Sequence, residues 1–228
     1  MTTPRVATGG FQLPPVTPAV RNVLIALFVL YTLELTARNV LQLPIDRLVW
    51  YGLYDGFRVY QPLTRYLVQG QGVLTVVIQA VVLYFFLPVV DGAYTRRQIV
   101  EALLLGAAGG TLLGLGLDVI GLVHGHAMGW APAITVLLVL FGMAYPDRQI
   151  LLFFVLPIPG KVFVWGTGVI SFLVLLATLG LGAADHLGTW LGALAWYQFV
   201  GPGGRKRKLL RDADRLQLQL DYLQVLDG

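Results

Sequence analysis

A chain of 228 residues is one domain by length, yet 57% of it is apolar, 12% is charged and its mean hydropathy is +0.73. A soluble domain carries about a quarter of its residues as charges, so this chain cannot cover its own surface in water, and lipid has to be its solvent. Cysteine is absent, which excludes disulfides and thiol catalysis; Ser171 is the one serine, and the net charge of +4 is unevenly spread.

The amino-terminal segment, residues 1–19, is proline-rich and polar and shows no short apolar run ending at a small-residue cleavage site, so no cleavable signal is expected. A bilayer core of about 30 Å takes about 20 apolar residues of helix. Six stretches qualify: residues 20–35, 67–90, 99–123, 130–145, 162–181 and 186–200. The fourth and sixth are short, which predicts that they start in a protein-lined cavity below the surface. Between the first two stretches, residues 39–66 mix Trp50, Tyr51, Tyr54, Phe57 and Tyr60 with Asp46, Arg47, Asp55 and Arg58. That mixture suits the headgroup layer and predicts a membrane-embedded first outer loop.

The third stretch carries Gly106, Gly109, Gly110, Gly114 and Gly116, and the sixth carries Gly188 and Gly192. In lipid, small residues at such spacing let helix backbones approach closely. They are read as packing features, not as a phosphate loop. After Val200, Gly201-Pro202-Gly203-Gly204 breaks the helix and Arg205-Lys206-Arg207-Lys208 follows, opening a basic tail, residues 201–228, with a short surface helix expected over 209–226. The basic run is read as a stop-transfer and topology signal; recruitment of anionic lipid or of a protein partner is the alternative.

Alternating sides place Arg5, Arg21, Arg96, Arg97, Arg148, Lys161 and six basic tail residues together, against Arg38, Arg47, Arg58 and Arg65 opposite. By the positive-inside rule both termini are cytoplasmic. Polar groups inside a bilayer are costly and are functional candidates until explained. Here they are Gln69, Gln71, Thr75, Gln79, Asp118, His124, His126, Asp185 and His186. The last four fall at two neighbouring outward-facing ends and are donors of the type zinc takes. A His-x-His pair is a weak signal, however, and adjacent Asp185 and His186 point in different directions on a helix. Loop histidines in a hydrated vestibule are the plainer explanation.

Four segments carry a resemblance. They are Val59-Tyr60-Gln61-Pro62-Leu63-Thr64-Arg65-Tyr66, Leu83-Tyr84-Phe85-Phe86-Leu87-Pro88, Gly129-Trp130-Ala131-Pro132-Ala133, and Asp185-His186-Leu187-Gly188 with Gly192 following. Pro157-Ile158-Pro159-Gly160-Lys161 before the fifth stretch adds to them. In order and spacing, over residues 20–200, the chain resembles the rhomboid family of intramembrane serine proteases. The resemblance implies a serine–histidine dyad, in which a base activates a weak hydroxyl nucleophile. His186 stands at the base position and Ala131 at the nucleophile position, where a methyl group cannot attack a carbonyl. Thr75 and Gln79 stand where the family's oxyanion donors would be, and an upstream family histidine would fall at Gln69 or Gln71. Thr135, one turn past Ala131, lies about 6 Å deeper along the helix, beyond the reach of about 3 Å that a catalytic hydrogen bond needs. Ser171 is mid-helix in the fifth stretch. Without a serine to serve, His186 is expected to bond Asp185, a backbone carbonyl or water.

The fold expected is an all-α membrane protein, a six-transmembrane-helix rhomboid-like bundle over residues 20–200. The function implied is that of a pseudoprotease, which binds transmembrane segments or client membrane proteins without cleaving them. The alternatives are an intramembrane serine endopeptidase whose serine is replaced by Ala131, and a metal-dependent hydrolase using the outward histidines. Two altered parts, nucleophile and oxyanion positions, argue against a single engineered replacement. No cofactor is expected. The partners expected are membrane lipids and a transmembrane client; no phosphate-binding loop or strand–helix junction points to nucleic acid. The location expected is a bacterial inner membrane.

Overall fold

The computed structural model describes residues 16–70, 72–152 and 156–204. Most of the amino-terminal segment, Gln71, the 205–208 basic run and the expected tail helix lie outside the described residues. Four helices are long and apolar enough to cross a membrane: α1 (Pro18–Asn39), α3 (Val73–Ala93), α4 (Arg96–Val119) and α6 (Gly160–Thr178). The chain is an integral membrane protein on that ground. Two shorter helices complete the bundle, α5 (Ala131–Ala144) and α7 (Leu181–Ala195), each roughly 20 Å long at 1.5 Å rise per residue. A five-residue π-turn, Trp196–Val200, prolongs α7.

Local chemistry sets several boundaries. Thr17 caps α1, its hydroxyl accepting from the Val20 N–H at 3.3 Å, with Pro18 in the first helical position. Thr95 and Gln98 form a capping box at the start of α4. The helix expected from residue 67 begins instead at Val73. Val68 is extended and Gly70 sits at φ +58°, so the chain cannot continue helically there. The last helix begins five residues before His186, at Leu181, after Gly180 in extended backbone. Asp185 can lie inside this helix because Arg65 pairs with it within the bundle.

The first loop is structured. It holds single 3₁₀ turns at Ile45–Leu48 and Arg65–Leu67, the strand β1 (Trp50–Tyr51) and one helical turn, α2 (Gln61–Thr64). β1 pairs antiparallel with β2 (His126–Ala127), with Trp50 opposite Ala127 and Tyr51 opposite His126. A second hairpin, β3 (Gln149–Leu152) with β4 (Leu156–Pro159), joins α5 to α6; nothing in the residue pattern announced it.

α5 is the central helix, with Pro132, Thr135, Val136, Leu137, Val139, Leu140, Phe141 and Gly142 buried. Phe86 of α3, Phe141 of α5 and Phe163 of α6 meet edge to face, 5.1–5.9 Å apart, a geometry worth about 0.5–1.5 kcal/mol per pair beyond burial. The closest helix pair is α4 with α7. A Cβ at Gly109 would strike the Gly188 carbonyl and the Gly192 backbone, and one at Gly188 or Gly192 would strike α4 backbone in return. Gly110 and Gly114 give way to Asp185 and Trp50, whereas Gly116 faces open space. The glycines are thus a backbone-to-backbone contact, with Gly116 outside it.

Candidate functional site

Three acidic side chains, one from each of three helices, hold the first loop. Glu34 near the end of α1 is buried and accepts from the Gln69 N–H at 2.6 Å and the Gly70 N–H at 2.9 Å. Asp118 near the end of α4 is buried and accepts from the Leu53 N–H at 2.5 Å. Asp185 on α7 lies 2.8 Å from Arg65 Nη2, both side chains being almost fully buried. Charge-assisted hydrogen bonds to backbone N–H are among the stronger ones available, and all three sit at the same end of the bundle, called the loop end below.

Arg65, one of the four basic residues assigned to the outer connections, does not lie at the surface: its side chain is 0% exposed. Its guanidinium stands 4.6 Å from the Trp50 ring centroid and 4.7 Å from that of Tyr66, and it donates to the Tyr66 hydroxyl at 2.6 Å. Two aromatic faces and one carboxylate replace water around the cation. Burial pushes the Tyr66 phenol above its usual pKa, with Arg65 opposing, so the hydroxyl is protonated at neutral pH. In the sequence Arg65 has no distinction from Arg47 and Arg58, and Glu34 is one acid at the end of an apolar run.

This stapled loop fixes the start of α5. The Gly129 N–H donates to the Arg65 carbonyl at 3.1 Å, and Trp130 Nε1 donates to the Tyr66 carbonyl at 2.7 Å. Gly129, at φ +90°, turns the chain into the helix, and half-buried Ala131 is its first residue. Ala131 therefore occupies a defined position at a helix N-terminus, and it brings only a methyl group.

Thr135, by contrast, reaches His186. Its Oγ1 lies 3.5 Å from His186 Nδ1 and donates to the Ala131 carbonyl at 3.2 Å. The separation from His186 is longer than the roughly 3 Å of a catalytic hydrogen bond, although α7 starts a turn early and brings His186 level with Thr135. At 3.5 Å the contact is at the outer limit of a hydrogen bond. His186 does not bond Asp185, whose partner is Arg65. Thr75 is half-buried in the first turn of α3 and Gln79 is buried one turn on, on the same face. Gln69 is buried and is held through its backbone; Ser171 is buried on α6.

The four zinc-type donors do not converge in the structure. His124 is exposed, and its backbone bridges to the Leu179–Leu181 turn. His126 is exposed with its ring 6.0 Å from that of Tyr51. Asp185 is spent on Arg65 and His186 turns to Thr135. Among the described residues no three His, Asp or Glu side chains form a metal-holding group. No family model matches the chain, and no curated protein or solved structure matches it.

Proposed function

We propose that this is a rhomboid-like pseudoprotease, a six-span bundle that binds transmembrane segments or client membrane proteins and leaves them uncut. One observation carries the reading: the helix start to which the stapled loop is fastened presents Ala131, while the imidazole at the base position, His186, faces a threonine a turn deeper. A base whose hydroxyl neighbour is a buried threonine, with a methyl group at the nucleophile position, has no exposed nucleophile to activate. Thr135 does not restore the dyad. It is 6% exposed, and its single hydroxyl proton is directed to a backbone carbonyl one turn back.

In this reading α5 and α7, with the π-turn, cross the membrane inside a collar of the four longer helices. Both termini are cytoplasmic and the membrane is a bacterial inner membrane.

The test is a transmembrane substrate peptide co-reconstituted in liposomes with the protein, with Ala131→Ser and with His186→Ala, read by photo-crosslinking and by product analysis. We expect crosslinks with all three proteins and product with none, since the oxyanion positions hold Thr75 and Gln79. Product from the serine variant alone would instead make the chain an endopeptidase scaffold lacking its nucleophile. Product from the unchanged protein, lost in His186→Ala, would overturn the reading.

A further inference from the structure

A cavity of about 510 Å³ opens between α1 and α4 and is floored by α5. Val23 and Leu30 of α1, Leu103 and Ala107 of α4, and Val136 of α5 line it, with Tyr66 and Trp130 closing it at the loop end. It exists because α1 packs on α3 and α3 on α5, while α3 and α4 barely touch. The wall is almost wholly apolar, so water would find too few partners to be held there. A transmembrane helix does not fit either: a cylinder 10–12 Å wide and 30 Å long occupies on the order of 2,500 Å³.

A charge lies just beyond the far end of the cavity. Ile99, Leu103 and Ala107 form one stripe of α4, and Arg96 begins that stripe three residues before Ile99. Arg96 is exposed, and no hydrogen bond or ion pair to it occurs among the described residues, whereas neighbouring Arg97 pairs with Glu101 at 2.8 Å. An apolar slot within a membrane helix bundle, with a free cation where α4 meets the headgroup layer, matches one occupant in both halves.

We infer that the slot between α1 and α4 is a phospholipid site, taking one acyl chain along the Leu103–Ala107 wall and an anionic headgroup at Arg96. The lipid comes from the surrounding bilayer. It fills the gap that the α1–α3 pair leaves and is independent of whether a client is cut or merely bound.

The experiment uses the full chain, stripped of lipid in detergent and offered equimolar phosphatidylglycerol and phosphatidylcholine of identical chains, with bound lipid read by native mass spectrometry. One lipid per chain is expected, with phosphatidylglycerol favoured about five-fold, the share one surface arginine supplies. Arg96→Gln, at an exposed position that leaves the packing untouched, should bring the ratio close to one without abolishing binding. Ala107→Trp should fill the slot and remove the lipid, with helicity by circular dichroism checking that it folds. No retained lipid in the unchanged protein, or the same headgroup ratio in Arg96→Gln, would overturn the assignment. So would lipid retention undiminished in a folded Ala107→Trp protein, or a co-purifying peptide in place of the lipid.

Discussion

Arg65 and Asp185 illustrate what a buried charge does in a bundle of this kind. Each would be expensive alone, and each is there because the other is, with Trp50 and Tyr66 covering the faces of the guanidinium. Removing one partner leaves an unpaired buried ion, so Arg65→Ala or Asp185→Ala is expected to cost about 3–5 kcal/mol. The double change Arg65→Met with Asp185→Leu should recover most of that, measured by unfolding in mixed detergent micelles. Thr135→Val makes the opposite kind of prediction. It removes a contact at the limit of hydrogen bonding, so stability should move by about 1 kcal/mol or less, while the nitrogen chemical shifts of the His186 ring change. Unaltered shifts would mean that the two side chains do not interact. These residues also mark the edge of what the sequence could disclose. His186 and Ala131 were visible because motif order fixed them; Arg65 and Glu34 were not, because their partners are far off in the chain and their neighbours look like ordinary loop or helix-end residues.

At the scale of elements, the six helices were legible from apolar length, and their ends were not. The start of α3 was read too early because the apolar and aromatic residues before Gly70 continue the pattern while the backbone does not. α7 starts five residues before the apolar stretch at 186, because Asp185, which interrupts the apolar pattern, finds its counter-ion Arg65 within the bundle. The glycine spacing was read well for α4 and α7. It supports a paired prediction: Gly109→Leu drives a side chain into the Gly188 carbonyl and should abolish a folded monomer, while Gly116→Ala meets open space and should be neutral or stabilise by up to about 1 kcal/mol. Thermal aggregation midpoints of the purified variants decide it. The loop is testable as an element too. Glu34→Ala frees two backbone donors, at about 1–3 kcal/mol for each buried group left unpaired, and should speed protease cleavage within residues 52–60. Equal cleavage rates would show that Glu34 does not hold the loop.

For the whole molecule, the absence of cysteine makes topology directly measurable, since any introduced thiol is the only one. Val59→Cys and Asp147→Cys, both at exposed positions in connections between helices, are expected to react with a membrane-impermeant maleimide from opposite sides of sealed vesicles. Labelling from the same side would remove the six-span arrangement proposed here. Hydropathy alone announced a membrane protein and its approximate number of helices. How the helices neighbour one another depended on glycines and buried acids whose meaning only their partners reveal.

The three acids that grip the first loop have a mechanical consequence. Through the loop, α1, α4 and α7 share a single brace at one end, and none can lean without dragging the other two. Among the described residues α6 contributes no acid to that brace; it rests on α5 and α7 and on its own hairpin, and is held at the loop end through its backbone, where the His124 N–H donates to the Leu179 carbonyl at 2.9 Å, with Trp165, Ile170 and Leu173 turned outward. A push from the lipid on any one of the three braced helices is therefore shared with the other two.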